Sequence, residues 1–418
     1  MKLLMISAWF PYPPICGAKI RKHNLVRQLS KFADIDLISL VQTLNADQLA
    51  EGKRYLENYC RSVQAVPAIP HRPSRARALQ KLISPLPDSI QVTRNAELER
   101  RVAEAWHRGG YDAAMVTECG SPGIVTFTAV SQNIRPLVVD SVELGVSRPQ
   151  GALLSLRRLR QSLTWFKLRR FSSALLRKAD VYTVTSQPEY VLLCSIVPAG
   201  VPCVIVPNVM DLGDYEGTFG ERDRRSLIHC GSFSYSVNYD AVLWFAQEVF
   251  GRIQMRESLK IRVTGNTAGR DLSPIRAGCP QVEFTGLVKD IRSYIAESGI
   301  SIVPILAGGS TRLKILESMA LGTPVVSTSL GAEGLDVRHE EHILLADTPA
   351  DFARQIDRLI QDDDLWHHLS VQGRRLIESH YSAEKMGKLF AALFSRVLGQ
   401  PAKPSLMACD AVTETGVG

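Results

Sequence analysis

Two cations follow a pair of glycines in the C-terminal half of the chain. Gly308 and Gly309 form a flexible loop, and Arg312 and Lys314 come shortly after it. The apolar spacing predicts a helix over 311–321, which places both cations in its first turn. Cations there oppose the helix dipole and cost up to about 1 kcal/mol each. Because backbone N–H groups, dipole and side chains would all face an anion at this point, the pattern predicts a phosphate site.

Glu317 lies one turn into the same helix, among mostly apolar neighbours. A carboxylate in this position can accept two hydroxyl hydrogen bonds, as from a ribose. Ser310 or Thr311 can cap the helix at its start. The alternative is a solvated basic face on which Lys314 pairs with Glu317 at i,i+3. The stretch therefore predicts either a nucleotide site or an ordinary surface helix.

The N-terminal half repeats this pattern. Gly17 allows close approach of the backbone in a loop, and Lys19, Arg21 and Lys22 occupy the first turns of a helix predicted over 18–32. A second anion site near Gly17 and Arg21 would explain these cations. The alternative is again a solvated helix face, since amphipathic helices carry lysines on the outside.

Three carboxylates lie at the ends of predicted strands in the same half. Glu118 follows the strand AAMVT, Asp140 ends the strand LVVD, and Glu143 comes three residues later. Carboxylates at such positions can orient an acceptor hydroxyl or help to remove its proton. Each of them could instead cap a helix or bind the backbone of a turn.

Strand and helix patterns alternate along the chain, which predicts βαβ units and an α/β protein with parallel sheets. The polar, turn-rich segment 207–225 interrupts the alternation and predicts a linker between two doubly wound, Rossmann-like domains. Ligands of such sheets bind beyond the carboxyl ends of the strands, so two facing sheets would form an interdomain cleft. The predicted strands cover residues 2–9, 34–41, 113–117, 137–140, 181–185, 203–206, 226–230, 259–264, 282–284, 299–304 and 324–328.

The domain boundaries follow from that interruption. The N-terminal domain spans 1–206 and the C-terminal domain 226–382. Helices are expected at about 239–252, 289–297, 311–321 and 350–361 in the second domain. A last helix over 383–398 is expected to pack back on the N-terminal domain, and the tail 399–418 is expected to be disordered.

Composition limits the class of protein. The 418 residues carry a formal net charge of +7, which suits an anionic partner without selecting one. The eight cysteines form no CxxC pair, so we expect reduced thiols in a cytoplasmic protein and no metal site. The apolar N-terminus runs into a proline-rich loop, which indicates a buried strand rather than a signal peptide.

Three further segments, together with 299–331, resemble one enzyme family. They are IHCGSFSYSVNYDAVLWF (228–245), VEFTGLVKDI (282–291) and GAEGLDVRHEEHILLAD (331–347). Over 226–390 the sequence is similar to the family 4 retaining glycosyltransferases of the GT-B fold, also called group 1. The resemblance implies an acceptor-side first domain and a second domain that binds a nucleotide sugar. It implies donor contacts for Gly17, Gly231, Ser232, Gly286, Gly308, Gly309, Ser310, Thr311, Arg312, Lys314 and Glu317, and catalytic roles for Arg21, Glu118, Asp140 and Glu143.

The sequence departs from the family pattern in two places. Family members often have a second glutamate eight positions before the one matched by Glu317, and here that position is Gly309. Many members also hold the diphosphate with an Arg and a Lys after the first strand of the second domain. The corresponding loop, 232–238, contains no cation. Arg312 and Lys314 are therefore the expected substitutes.

A basic stretch, 151–178, combines eight Arg and Lys residues with leucines and aromatic residues. On a helix this composition suits an anionic membrane surface, and many relatives use lipid-linked acceptors. The alternative is a long surface helix with its apolar stripe in the core.

The resemblance implies transfer of a hexosyl group from a nucleoside-diphosphate sugar to an acceptor hydroxyl, with retention. The setting would be the synthesis of a polysaccharide, glycolipid or glycoconjugate, at the inner face of the membrane. No acidic D-x-D pair lies in a suitable loop, so we expect no metal, and we expect no separate cofactor and no nucleic-acid partner. Two alternatives remain: a nucleotide-sugar 2-epimerase, and a non-catalytic nucleotide-binding scaffold at a membrane. The absence of G-x-G-x-x-G after a strand argues against a dinucleotide oxidoreductase.

Overall fold

The structure is a computed structural model that describes residues 1–42, 44–69, 86–120, 123–142, 156–197, 201–217, 219–308 and 312–399. The chain divides into two compact units. The first consists of Met1–Pro207 and the chain from Glu384 onward, and the second consists of Asn208–Ala383. Each unit contains one parallel sheet, as the alternation of strands and helices predicts.

The sheet of the first unit has seven strands. They are β1 (Lys2–Ser7), β2 (Asp34–Val41), β3 (Ser62–Pro67), β4 (Ala113–Gly120), β5 (Leu137–Val142), β6 (Val181–Val184) and β7 (Cys203–Ile205). Their order is β3-β2-β1-β4-β5-β6-β7, and neighbouring strands are parallel. Most of these strands are apolar runs, because helices cover both faces of such a sheet.

Helices cover or connect these strands, and those described before residue 207 are the following seven. They are α1 (Gly17–Leu29), α2 (Ala46–Leu56), α3 (Asp88–Thr93), α4 (Ala96–Gly109), α5 (Ile124–Ser131), α6 (Leu156–Leu176) and α7 (Gln187–Cys194). The main core lies between the sheet and these helices. It includes Ile6, Ile38, Val116, Val139 and Leu176, all of them buried.

The second unit has a six-stranded parallel sheet. Its strands are β8 (Asp223–Cys230), β9 (Lys260–Thr264), β10 (Val282–Gly286), β11 (Ser298–Val303), β12 (Val325–Ser327) and β13 (Leu344–Leu345). Their order is β10-β9-β8-β11-β12-β13. The helices are α8 (Ser236–Trp244), α9 (Ser273–Gly278), α10 (Ile291–Ala296), α11 (Leu313–Ala320), α12 (Pro349–Gln361) and α13 (Asp363–His380). The last helix, α14 (Ala383–Val397), belongs to the first unit from Glu384 onward.

Strand order places the predicted site residues at one point in each sheet. The order reverses between β1 and β4 in the first sheet and between β8 and β11 in the second. Open α/β sheets bind ligands beyond the carboxyl ends of the strands at such a reversal. The Gly17 loop follows β1 and Glu118 ends the apolar run of β4. The loop that begins at Gly231 follows β8, and Gly308 lies beyond β11.

Several elements differ from the sequence prediction. The predicted linker 207–225 contains a 3-10 turn at Leu212–Tyr215, and β8 begins inside it at Asp223. The helix predicted over 239–252 begins at Ser236 and passes into a π turn at Phe245–Val249. No sequence pattern had predicted α2, α4, α13 or β3. Residues 400–418 of the predicted disordered tail lie outside the described residues.

The backbone at Gly265 makes a testable contact with the loop after β8. Its φ is +125°, and a Cβ there would lie 2.6 Å from the carbonyl oxygen of Gly231. Because both the conformation and the space exclude a side chain, Gly265→Ala should lower the free energy of unfolding by about 2–3 kcal/mol. Thermal and urea denaturation measure this loss. Gly251→Ala is the control, since a Cβ at Gly251 meets nothing within 4 Å. Equal stabilities of the two variants would contradict the prediction.

Candidate active site

The helix with the predicted donor cations, α11, begins later than the sequence predicts. Arg312 occupies the N-cap position, with φ −83° and ψ 89°. The predicted caps Ser310 and Thr311, together with Gly309, lie outside the described residues. The helix buries most of its apolar side chains, so packing fixes its place against the sheet.

Arg312 is hydrogen-bonded to Gly308, the nearest described residue before it in the chain. Its Nη2 donates a hydrogen bond of 2.6 Å to the carbonyl oxygen of Gly308, and its side chain is buried. Gly308 has a φ of +90°, and a Cβ there would lie 2.7 Å from the hydroxyl oxygen of Tyr235. Position 308 therefore requires glycine.

Lys314 contacts the first turn of α8 and the end of β8. Its Nζ donates to Oδ1 of Asn238 at 2.9 Å and lies 3.5 Å from Nε2 of His229. Among the described residues its ammonium therefore bonds to Asn238 and not to Glu317, so the surface-pair alternative is not what the structure shows. Burial lowers the pKa of Lys314 to about 8, and the neighbouring charge of Arg312 contributes to this shift. At neutral pH the ammonium is charged but faces a neutral amide.

His229 lies below Lys314 in the buried strand β8. Its Nδ1 lies 3.0 Å from the carbonyl oxygen of Ile302, which assigns the ring proton to Nδ1 and leaves Nε2 to accept from Lys314. Burial holds the pKa of His229 well below its usual value, and the ammonium of Lys314 acts in the same direction. The ring is thus neutral and orients the ammonium without competing with it for an anion.

Asn238 joins two predicted donor elements. Its Nδ2 donates to the carbonyl oxygen of Ser232 at 2.9 Å, while its Oδ1 accepts from Lys314. A Cβ at Gly231 would lie 2.6 Å from the Asn238 side chain, so this close approach requires glycine. Asn238 and His229 were not predicted as site residues, although both lie within the segment 228–245 that resembles the family. The feature of the sequence that could have indicated them is the absence of cations from residues 232–238.

Glu317 is held by a tyrosine from outside the recognised motifs. Its Oε1 accepts a hydrogen bond of 3.2 Å from the hydroxyl of Tyr215. Burial raises the pKa of Glu317 to about 7, although Tyr215, Lys314 and Arg292 each favour the ionised form. A carboxylate this easily protonated would gain from further hydrogen-bond donors.

Gly286 ends β10 with a φ of +69°, and its carbonyl oxygen accepts from the N–H of Gly265 at 2.9 Å. A Cβ at Gly286 would meet open space, so the backbone conformation and not crowding favours glycine here. The turn lies beyond the carboxyl end of its strand, as the other predicted donor loops do.

The cations of α1 are buried and do not form a solvated face. Lys19, Arg21 and Lys22 have exposed fractions of 8%, 3% and 1%. The Nζ of Lys22 donates to the backbone carbonyl of Glu118 at 2.6 Å. Gly17 is the first residue of the helix. The solvated-face alternative is therefore wrong for this helix.

Arg21 and Asp140 form a buried bidentate pair. The guanidinium donates from Nε at 3.1 Å and from Nη2 at 2.7 Å to the two carboxylate oxygens, and from Nη1 at 3.0 Å to the carbonyl of Pro207. Thr183 also donates to Asp140 at 2.7 Å. Burial raises the pKa of Asp140, but Arg21 and Thr183 outweigh this effect and hold it below its usual value. Asp140 is thus ionised and fully engaged, which favours a role in orienting Arg21.

Glu118 caps a helix. Its Oε1 accepts from the N–H of Gly123 at 2.8 Å and from the N–H and hydroxyl of Thr126 at 2.9 and 2.6 Å. Burial raises the pKa of this carboxyl, and these hydrogen bonds oppose the rise. The geometry thus favours the capping alternative, and a catalytic role for Glu118 stays a prediction. Glu143 lies outside the described residues.

The predicted residues therefore form one cluster in each unit. The second unit brings together Lys314, the Gly231–Ser232 loop and Asn238, with Glu317 one turn along α11. The first unit brings together Arg21 and Asp140 beside the buried Lys22. Within the described ranges, no three His, Cys, Asp or Glu side chains are arranged to hold a metal ion.

Comparison with known families identifies the second unit. Residues 224–362 match the model of the family described as glycosyl transferases group 1. This segment contains the whole described donor-side cluster apart from Tyr215. Over these residues the chain matches the group 1 glycosyltransferases. The family predicted from the loop and helix around 308–322 is therefore confirmed.

Solved structures share the fold of this chain over almost its whole length. HepE of Anabaena, solved with UDP and glucose, is 15% identical with a TM-score of 0.65, covering 95% of this chain and 100% of that one. Sucrose-phosphate synthase from Thermosynechococcus elongatus is 16% identical with a TM-score of 0.67, covering 96% and 99%. TarM of S. aureus is 10% identical with a TM-score of 0.67, covering 94% and 99%. These likenesses confirm the predicted GT-B fold.

Curated relatives match smaller parts of the chain. YtcC of Bacillus subtilis (strain 168) is 32% identical over 85 residues, which are 20% of this chain and 21% of that protein. A 44.6 kDa protein in the cps region of Klebsiella pneumoniae is 20% identical over 177 residues, 40% of this chain and 45% of that protein. The matches thus span less than half the length of either relative.

The buried pair in the first unit predicts an effect on stability. Asp140→Asn leaves the Arg21 guanidinium buried beside a neutral amide, so it should lower the free energy of unfolding at pH 7 by about 3 kcal/mol. Asp223→Asn is the control, because Asp223 pairs with an exposed lysine and its loss should cost under about 1 kcal/mol. Urea denaturation measures both.

The same substitution predicts a pH effect. Because the folded-state pKa of Asp140 lies below the unfolded value, near 3.9, ionised Asp140 stabilises the fold above that value. This contribution is lost as the pH falls through the folded-state pKa. The stability of Asp140→Asn should therefore fall less steeply between pH 5 and pH 2 than that of the wild type. Parallel pH profiles would contradict this assignment.

Proposed function

We propose that the protein transfers a glycosyl group from a nucleoside-diphosphate sugar to an acceptor hydroxyl. The observation that carries the proposal is the cluster around Lys314. An ammonium with a neutral partner, a glycine-rich loop and the N-terminus of α11 meet beyond the carboxyl ends of β8 and β11. Family membership over 224–362 supports the same reaction.

The donor site acts by stabilising the leaving group. Departure of the sugar leaves additional negative charge on the diphosphate, and preorganised positive groups lower the energy of that transition state. Among the described residues Lys314 makes no ion pair with a carboxylate, and Arg312 donates to the carbonyl oxygen of Gly308. Glu317 accepts the ribose hydroxyls. With these groups in place the reaction proceeds without a metal ion.

The sugar is a hexose, and its anomeric configuration is retained, as the family resemblance implies. HepE has been solved with UDP-glucose, and pneumococcal GtfA, an O-GlcNAc transferase, with UDP and GlcNAc. The relative from Klebsiella pneumoniae is named for a cps region. These names support a nucleoside-diphosphate hexose donor and a product that is a polysaccharide, glycolipid or glycoconjugate.

The first unit supplies the acceptor side. Gly17 and Arg21 act near the reacting centre, and Asp140 fixes the guanidinium of Arg21 through two hydrogen bonds. The predicted role of the carboxylates is to orient the acceptor hydroxyl or to help remove its proton. Asp140 orients Arg21, Glu118 caps α5, and Glu143 stays a candidate for the proton transfer.

We further propose that the acceptor is lipid-linked and that the protein works at the inner, cytoplasmic face of a membrane. Two exposed apolar residues of α6, Leu163 and Phe166, lie outside the buried stripe of this helix, and Val191 and Leu192 are exposed on α7. Arg169 donates to the carbonyl of Ser195 at 3.3 Å and so joins the two helices. We call Leu163, Phe166, Val191 and Leu192 the apolar patch.

The charge around the apolar patch favours a lipid surface. The segment 156–178 contains eight cations and no carboxylate. Apolar side chains flanked by such cations suit the headgroup region of an anionic membrane. Among the described helices, none has the length and apolar character to cross a membrane. The proposed contact is therefore peripheral.

Lys314→Met tests the donor site directly. The substitution should weaken binding of a nucleoside diphosphate at pH 7 by about tenfold or more, since it removes a charge-assisted contact to phosphate. In the wild type the affinity should fall as the pH rises above about 8, because Lys314 then loses its proton. In Lys314→Met this alkaline limb should be absent. Calorimetric titration with UDP, GDP and ADP between pH 6.5 and pH 9.5 measures both effects.

Lys260→Met is the matched control, because Lys260 is 67% exposed at the start of β9, away from the site. Glycosyl transfer by the wild type and both variants should be measured with the nucleotide sugar that raises the melting temperature of the protein most. Wild-type affinity from Lys314→Met, or no nucleotide binding by the wild type, would contradict the proposed function.

The apolar patch predicts binding to anionic vesicles. The double variant Leu163→Ser, Phe166→Ser should lose most binding to vesicles that contain 30% phosphatidylglycerol, on the order of tenfold, because about 2 kcal/mol of apolar burial is removed. Vesicle flotation measures this. Val371→Ser, at an exposed apolar position of α13, is the control. Equal binding to neutral and anionic vesicles, or no loss in the double variant, would contradict the proposal.

A further inference from the structure

Tyr215 reaches the predicted donor site from a segment that no motif covers. It ends the 3-10 turn Leu212–Tyr215, which precedes β8 in the chain. Its hydroxyl donates to Oε1 of Glu317 at 3.2 Å. This hydrogen bond uses one of the two carboxylate oxygens.

The position of the turn is set by α10. Arg292 donates from Nη1 to the backbone carbonyl of Asp214, the residue next to Tyr215. Its Nε and Nη2 bind the two carboxylate oxygens of Asp290 at 2.9 and 2.7 Å. Asp290 also caps α10 by accepting from the N–H of Arg292. A planar guanidinium held at both ends of its fork leaves little freedom to the turn.

The ring of Tyr215 is anchored by packing as well. Together with Phe219, Ile291 and Tyr294 it packs against a small buried cluster of the second unit. That cluster includes Cys230 at the end of β8 and Leu321 at the end of α11. Packing therefore fixes Tyr215 relative to β8 and to α11 before any ligand binds.

We infer that Tyr215 is a positioning residue for the donor: it holds Oε1 of Glu317 and thereby presents Oε2 to the ribose hydroxyls. This inference rests on the proposed function, in which Glu317 binds the ribose. It makes the turn Leu212–Tyr215 part of the recognition of a ribonucleotide over a deoxyribonucleotide. Two hydroxyls of the ligand and one of the protein would then share a single carboxylate.

The titratable and charged groups around Glu317 determine the expected pH dependence of binding. They are Tyr215 from the turn, Arg292 from α10, Lys314 from α11 and the thiol of Cys230 from β8. Burial raises the pKa of Glu317, and the Tyr215 hydroxyl, Lys314 and Arg292 lower it. Removing the hydroxyl should therefore move ionisation of Glu317 to higher pH. A side chain that only fills space would cause no such change.

Tyr215→Phe tests the inference, with Tyr294→Phe as the matched control. Both substitutions remove a hydroxyl from the same packed cluster, but only Tyr215 donates to Glu317. UDP, GDP and ADP are titrated first, and the tightest of these is compared with its 2′-deoxy counterpart at pH 6, 7 and 8.5. Ratios between variant and wild type remove the titration of Lys314, which all three proteins share.

Tyr215→Phe should bind the ribonucleotide about 3- to 10-fold more weakly at pH 6, and the loss should shrink at pH 8.5, where Glu317 is ionised in either protein. Its preference for the ribonucleotide over the 2′-deoxy form should fall by a similar factor. Tyr294→Phe should match the wild type. Melting temperatures of the two variants should agree within about 2 °C, which separates positioning from folding.

The possible results distinguish failure of the role inferred for Tyr215 from failure of the proposed function. If the wild type binds nucleotides and Tyr215→Phe keeps both its pH profile and its preference for ribose, the inference alone is overturned. If the wild type binds none of the three nucleotides, the proposed function fails and the inference fails with it.

Discussion

The site depends on one constraint: a charged side chain that is buried near the end of a parallel strand must find a partner. An isolated buried charge costs several kcal/mol or shifts its pKa until it becomes neutral. Both units bury charges next to the point where the strand order reverses. Whether the partner of a buried side chain is charged or neutral determines whether the charge remains available for a ligand.

The two units meet this constraint in different ways. In the first unit Arg21 is paired with a carboxylate, Asp140, and Lys22 donates to a backbone carbonyl. The Arg21–Asp140 pair is internally balanced. In the second unit Lys314 faces an amide and Glu317 faces a phenol. Neither charge forms an ion pair within the part of the chain that the structure describes, and burial moves the pKa of Lys314 down to about 8 and that of Glu317 up to about 7.

This difference suits a division of labour. A balanced ion pair is a rigid scaffold, whereas an ammonium and a carboxylate with neutral partners gain free energy when a ligand supplies complementary groups. A diphosphate provides the negative charge for Lys314, and ribose hydroxyls provide the donors for Glu317. Asn238, in the first turn of α8, links the two parts of the site: it donates to Ser232 in the loop after β8 and accepts from Lys314 of α11.

The sequence by itself determined the α/β class, the two parallel sheets and the family, because these follow from local periodicity and from contiguous motifs such as 308–322. It also marked Arg312, Lys314 and Glu317, since cations in the first turn of a helix are a local anomaly. It missed helices such as α13, whose place depends on packing, and it started α11 too early. Only the tertiary structure decided the partners. Asn238 is 76 residues from Lys314, Tyr215 is 102 from Glu317, and Asp140 is 119 from Arg21. No local pattern encodes such contacts, because they arise where separate strands end side by side in a folded sheet.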